Sequence, residues 1–276
     1  ARLSTFAAGR RGRPAVHARA HGSWASPRGR RRGLCSGGAA DAADMSSNRL
    51  LHAMLKVSNL NASIEFYESC GMRALSFVER PNGAATSFVG YGAKGDMEHF
   101  ALELSQGPRK GRTAVAVGSG LQFLGLAGVP DRTDPDGYRV KAVGTEIVEG
   151  PFCCLCLRVA DLEGSVAFYG GPLGMVEQPA PASWPCGCRL LRYPSPPAVA
   201  LALVQDAAQG PVDTGSGYDH LAVSTPDVHV AAAALRAAGV ELTVPPMVMF
   251  GMNITGFKDP DGYSVYLVEE AGFRSG

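Results

Sequence analysis

Two stretches of the chain carry the same order of apolar and polar positions. Residues 50–72, LLHAMLKVSNLNASIEFYESCGM, open on an apolar run, reach Asn59-Leu60, and continue to Phe66-Tyr67 before Gly71-Met72. Residues 152–175, FCCLCLRVADLEGSVAFYGGPLGM, repeat that order with Asp161-Leu162, Phe168-Tyr169 and Gly174-Met175. Each predicts a strand followed by a helix. Asn59 and Asp161 stand where an N-cap is wanted, a few residues ahead of the apolar positions Ile64 and Val166, because a short polar side chain there accepts from the free N–H groups of the first turn. The chain is an internal duplication.

Both units close on one phrase, Asp134-Pro-Asp-Gly-Tyr138 and Asp259-Pro-Asp-Gly-Tyr263. Proline fixes φ and glycine tolerates positive φ, so each phrase reads as a structural turn into a final strand. The spacing is uneven. Val57 maps to Val159, 102 residues on, but Asp134 maps to Asp259, 125 on, so about 23 residues are missing from the first unit. The second unit has an Ala-rich helix (231–239) and an apolar run (240–248) where the first passes from Gly128 to Asp134 almost at once. Each unit is expected to be βα, a loop and two or three strands, then a second βα with strands, the first unit having lost one helix and one or two strands.

Composition divides the chain differently. The formal net charge of +1 over 276 residues hides nine arginines against two aspartates in residues 1–44, a surplus of +7, beside 17 basic and 23 acidic residues in the remainder, a balance of −6. Residues 1–48 are expected to be a disordered basic leader. It has no apolar core of the length a secretory signal needs, and its composition suits a transit peptide to a plastid or mitochondrion. A solvated arm on a cytoplasmic protein and a polyanion-binding arm built on Arg28, Arg30, Arg31 and Arg32 rest on the same charge run. The apolar content, 46%, excludes a wholly disordered or collagen-like chain. The most apolar stretch, 114–129, is interrupted by Gly118, Ser119, Gly120 and Gln122, so no membrane span is expected, and neither a nucleic acid nor a membrane is expected as a partner.

Seven cysteines, an odd number without a secretory signal, predict reduced thiols and no disulfide framework. Cys154 and Cys156 face one side of a strand and with Cys186 and Cys188 imitate a metal cluster, but the C-x₂₋₄-C spacing of a zinc site is missing and core thiols are the expectation. Glu103 alternates within the apolar run Phe100 to Leu104, where an unpaired carboxylate is costly and a cation would offset that cost. His52 sits in an apolar strand, where a buried hydrogen-bonded imidazole is the plainer reading.

Over residues 49–270 the chain resembles the glyoxalase I (lactoylglutathione lyase) branch of the vicinal-oxygen-chelate superfamily, in particular the fused two-domain enzymes of plants and algae. The resemblance rests on LLHAMLKVSNL, Phe88 to Gly92 (FVGYG), Phe100 to Ser105 (FALELS), Gly215 to Thr225 (GSGYDHLAVST) and the two DPDGY phrases. It implies an α+β fold of paired βαβββ modules, tandem duplicated with one module truncated: a first glyoxalase-like domain over 49–149 and a second over 150–276, monomeric because its domains are fused. It implies one metal site holding a divalent ion, Ni or Zn, with ligands from both halves. Carried over, these are His52, Glu103 and His220. The fourth ligand, a glutamate in the family, is Tyr266 here. The second family site maps to Cys154, Ala202, Phe123 and Lys141, which cannot hold an ion.

The activity implied is isomerisation of the hemithioacetal of methylglyoxal and glutathione to S-lactoylglutathione through an enediolate. Glu103 would act as catalytic base, Tyr266 would donate a hydrogen bond or coordinate, and Lys56 would bind the substrate carboxylate. The family's asparagine is Gly107, and its basic loop residue is lost in the apolar 246–251, PMVMFG, which suits a less polar substrate. Two other readings stay open. One is a catalytically degenerate small-molecule binding protein; the other is an Fe(II) extradiol-type dioxygenase, which also uses two histidines, a glutamate and a tyrosine.

Overall fold

The computed structural model describes residues 45–95, 98–111, 114–145, 150–182, 184, 187–196 and 199–270. Residues 1–44 of the basic leader, with Cys35, and Cys186 lie outside the described residues. Residues 45–48 do not continue the leader. Met45–Ser47 form one turn of 3₁₀ helix, Met45 joins the main apolar cluster and Asn48 is buried, so apolar burial draws the folded body back to Met45.

The chain runs through four modules. The first is β1 (Leu50–Lys56), α1 (Leu60–Glu68), β2 (Arg73–Ala74), β3 (Val78–Glu79), β4 (Ala85–Gly90) and β5 (Ala101–Gln106). The second has only β6 (Leu121–Leu126), β7 (Arg132–Thr133) and β8 (Arg139–Ala142). The third is β9 (Phe152–Arg158), α2 (Leu162–Gly170), β10 (Val176–Gln178), β11 (Arg189–Arg192) and β12 (Ala200–Val204). The fourth is β13 (Tyr218–Thr225), α3 (Val228–Ala237), β14 (Leu242–Met249), β15 (Met252–Lys258) and β16 (Ser264–Glu269). Among the described residues the second module thus lacks counterparts of α3 and β14, and the two-residue β7 stands for β15.

Sequence halves and sheets do not coincide. The first and fourth modules build a nine-stranded sheet in the order β14-β15-β16-β13-β1-β5-β4-β2, with β3 beside β4. The second and third build a seven-stranded sheet, β10-β11-β12-β9-β6-β8-β7. The largest apolar cluster draws on both: Leu55, Leu102 and Leu221 from one, Leu124, Leu157 and Leu201 from the other. The expected N-caps form, Asn59 accepting from the Ala62 amide and Asp161 from the Gly164 amide.

The repeated phrases are cross-links between modules. Tyr67 at the end of α1 donates to Asp134 at 3.3 Å, and Tyr169 at the end of α2 donates to Asp259 at 2.8 Å. Each aspartate also accepts backbone amides within its own turn, among them those of Tyr138 and Tyr263. The turn tyrosines reach back in turn: Tyr138 donates to the Lys56 carbonyl and Tyr263 to the Arg158 carbonyl. In each half the Phe-Tyr helix end and the DPDGY turn therefore join one module of each sheet, which is why both recur together.

Arg158, 1% exposed, has its charge surrounded by carbonyls. Its guanidinium donates to the oxygens of Ser119, Asp206, Gly210 and Pro211 and to the Ser119 hydroxyl, tying the 206–211 connection to the start of β6. Truncation leaves these buried acceptors unsatisfied. Arg158→Met is expected to lower the unfolding free energy by about 3 kcal/mol, and denaturant titration of variant and wild type measures it.

A pH effect follows from the turn aspartates. Burial pushes the Asp134 and Asp259 carboxyls up to about 6, against the opposing pull of their amide donors. A carboxyl whose folded pKa is raised favours the folded state while protonated, so its contribution is complete below the unfolded value of about 3.9 and is lost as pH rises to about 6. Stepping the pH from 4 to 6, the wild type should lose stability that the double variant D134N/D259N retains; parallel denaturant midpoints for the two proteins would contradict this.

Candidate metal centre

The three predicted ligands meet around one position of the larger sheet. Met54 in β1 faces His220 of antiparallel β13 on one side and Glu103 of parallel β5 on the other. His52 lies two residues earlier, on the same face of β1. His52 Nε2 stands 3.3 Å from His220 Nε2 and 3.2 Å from Glu103 Oε2, and one ligand atom from each of the three lies within 4.8 Å of the others. Atoms sharing an ion at about 2.0–2.2 Å stand roughly 3.0–3.5 Å apart, so these spacings fit one divalent cation. No other convergence of three His, Cys, Asp or Glu side chains occurs among the described residues.

Register irregularities aim these side chains. Met54 faces His220 but Leu55 faces Tyr218, which makes Asp219 the extra residue of a β-bulge. A bulge breaks the alternation of faces. Asp219 therefore lies beside His220, with Oδ1 2.9 Å from His220 Nδ1. A matching irregularity between Leu50 and His52 leaves Leu51 as the extra residue of β1, and Leu51 packs with Ala222, Ile254 and Val268 in an apolar group beside the ligands.

Electrostatics suit a cation. Burial lowers the His52 pKa, with Glu103 partly opposing, so the imidazole is neutral near pH 7. Burial pushes the Glu103 carboxyl up, but its hydrogen bond and charge interaction with His52 and the nearby His220 outweigh it and leave it below the usual range. Asp219 is held well below the ordinary carboxylate range by its hydrogen bond to His220, against burial and with help from Lys56.

Tyr266 lies beside His220, and Lys56 is engaged with an acid of the protein. Tyr266 sits in β16 opposite Ala222; its ring lies 4.9 Å from that of His220, edge to face, and covers Gly256, where a Cβ would come 2.7 Å from the ring. Lys56 Nζ is 2.6 Å from Asp219 Oδ2, so the expected partner of a substrate carboxylate is ion-paired within the protein. Gly107 follows β5 directly, and the apolar 246–251 segment forms the β14–β15 hairpin, with Phe250 85% exposed at its tip. Sequence reasoning passed over Asp219, because alternation along a strand assigns it to the face opposite His220 and the bulge appears only in the pairing with β1. It also passed over Phe88, whose ring meets the His52 imidazole at 5.2 Å.

The equivalent face of the smaller sheet is apolar. Phe123, Cys154 and Ala202 pack with Trp184 and Cys188, and Lys141 Nζ lies 5.9 Å from the Phe123 ring centre. Cys154 Sγ occupies the space that a side chain at Gly125 would need. Burial pushes the Cys154 and Cys156 thiols up, and with Cys70, Cys153 and Cys188 they are reduced thiols outside any disulfide.

The paired modules have the vicinal-oxygen-chelate fold, and the larger sheet brings two histidines and a carboxylate together. The model of the Glyoxalase/Bleomycin resistance protein/Dioxygenase superfamily matches residues 150–267. A lactoylglutathione lyase of Oryza sativa is 27% identical, covering 82% of this chain and 90% of its own, and "Probable lactoylglutathione lyase, chloroplastic" of Arabidopsis thaliana is 26% identical, covering 82% and 74%. Among solved structures, a point mutant of glyoxalase I from Zea mays superposes with a TM-score of 0.71 at 26% identity, over 82% of this chain and 95% of that one. Over most of its length the chain is thus similar to plant lactoylglutathione lyases, in sequence and in fold.

A divalent ion should therefore stabilise the folded protein. At 100 times its Kd the gain is about 2.7 kcal/mol, and His220→Ala or Glu103→Gln should remove it, as read from melting temperature with and without Zn²⁺. Protons compete with the ion for the imidazole nitrogens, so affinity should fall as pH is lowered; competition against a chromophoric chelator across pH measures it.

Proposed function

We propose that this protein is a metal-dependent lactoylglutathione lyase, isomerising the hemithioacetal of glutathione and methylglyoxal to S-lactoylglutathione at one site per chain. One observation carries the reading: His52 and Glu103 of the first module and His220 of the fourth converge within 4.8 Å. Two imidazoles and one carboxylate favour a borderline ion such as Ni²⁺ or Zn²⁺ over Mg²⁺ or Ca²⁺. Bound there, the ion supplies Lewis acidity that polarises the substrate's vicinal oxygens.

The chain's own groups do the rest. His52 and His220 hold the ion with neutral imidazoles. Glu103 Oε2 is directed at His52, which leaves Oε1 to take the proton from one substrate carbon and return it to the next. Tyr266, beside His220, offers the phenol that hydrogen-bonds the developing enediolate. Phe88, Met249, Met252 and Tyr266 pack around Leu51 and Ala222, giving the neighbourhood of the ligands an apolar character that favours the uncharged end of the substrate.

The two halves complete each other's sheets within a single chain, which supports a monomer. The acid-free, arginine-rich composition of residues 1–40 and the chloroplastic relative support import into a plastid.

Protein expressed from Met45 and loaded with Ni²⁺ or Zn²⁺ should hold one ion per chain and turn over methylglyoxal plus glutathione. Glu103→Gln should cut that turnover by roughly 10²- to 10⁴-fold, whereas Cys154→Ala in the smaller sheet should not change it. A loaded wild-type protein without turnover would sink the lyase reading, and oxygen uptake with catechols would replace it with the dioxygenase.

A further inference from the structure

The Lys56–Asp219–His220 chain is not explained by ligand count or by substrate recognition. Asp219 owes its orientation to the bulge, since in a regular strand its side chain would leave on the opposite face from that of His220. Its two oxygens are divided: Oδ1 is 2.9 Å from His220 Nδ1, and Oδ2 is 2.6 Å from Lys56 Nζ. An ionised carboxylate only accepts, so Nδ1 must carry the proton and Nε2 must present its lone pair. Nε2 is the atom turned toward His52, 3.3 Å away.

The duplication supplies a control inside the molecule. In the smaller sheet the same irregularity recurs between Leu121 and Phe123 of β6, and its extra residue is Gln122. Gln122 donates to the Ser119 carbonyl and accepts from Arg139, and the counterpart of Lys56, Arg158, is turned to backbone carbonyls. The bulge is present in both sheets, but the acid and its lysine occur only where the histidine ligands do.

We propose that Asp219 is a positioning residue that fixes the Nδ1-protonated tautomer and the ring orientation of His220, and that Lys56 anchors its carboxylate instead of meeting substrate. The inference rests on the metal-centre reading. Carboxylates behind metal-binding imidazoles act in this way generally, and their loss costs roughly 10- to 100-fold in metal affinity.

Two readouts test it. In metal-free protein, ¹⁵N shifts of the His220 ring should report Nδ1–H in the wild type and a mixture of tautomers in Asp219→Asn, with the melting temperature nearly unchanged. Zn²⁺ competition should then give an affinity roughly 10- to 100-fold weaker for Asp219→Asn and a smaller loss for Lys56→Met, with the double variant no worse than Asp219→Asn alone. An unchanged tautomer and unchanged Zn²⁺ affinity in Asp219→Asn overturn the proposal. A Lys56→Met protein that loses only KM for the glutathione adduct overturns its lysine part. A wild-type protein that binds no Zn²⁺ overturns the metal centre instead, while the ring shifts still judge Asp219.

Discussion

The antiparallel pairing of β1 with β13 is the constraint on which the rest of the structure depends. It joins strands 168 residues apart at His52 and His220, and it closes the larger sheet from the first and fourth modules of the chain. Once that ladder forms, the middle modules are left to pair with each other through β6 and β9, which they do in the same antiparallel sense. A slip of one residue would send His52 into the shared core and Ala53 toward the ligands, because faces alternate along a strand. Two bulges in the ladder break that alternation locally. One directs Leu51 to the side of His52, and the other directs Asp219 to the side of His220.

Local features of this architecture were legible in the chain. The strand-helix units, their Asn and Asp caps and the missing helix of the second module follow from periodicity, turn chemistry and the offset between repeats, all of which act over a few residues. The convergence of His52, Glu103 and His220 was not legible from pattern and came through the family resemblance. A parallel pairing between β1 and β5 and a long-range antiparallel one to β13 leave no periodic trace. Asp219 was illegible for a related reason: alternation assigns neighbouring strand residues to opposite faces, and only a partner strand reveals a bulge. The partner of Lys56 was hidden for the same reason: a strand-ending lysine is ordinarily free in solvent, whereas this one meets an acid that the bulge has turned toward it.

The two copies of the duplication have diverged in what they bury. In the larger sheet a carboxylate and two imidazoles share a partly buried position, an arrangement whose cost is offset only by a counter-charge or mutual hydrogen bonds. In the smaller sheet the same positions hold Phe123, Cys154 and Ala202 in a continuous apolar cluster. Replacing buried ionic groups by packed apolar ones is often neutral or stabilising, so this face serves the structure without having to hold an ion. The shortened second module fits that division. Absence of counterparts to α3 and β14 removes covering elements from the sheet that has no ligands, and the module supplying His220 and Tyr266 keeps both.

Tyr266 in place of a fourth ligand changes the balance at the surviving centre. In the proposed centre Glu103 is the sole carboxylate, so the protein would contribute a ligand charge of −1, and both anionic holding and proton transfer would fall on one side chain. Glu103 meets His52 at 3.2 Å, is less buried than that imidazole, and has no lysine or arginine ion pair among the described residues. His220 shows the opposite arrangement, braced from behind by Asp219 and Lys56 and flanked by the Tyr266 ring. The contacts are thus concentrated behind His220, while Glu103 keeps His52 as its side-chain partner, the distribution the proposed centre would need if its carboxylate is also to move a proton.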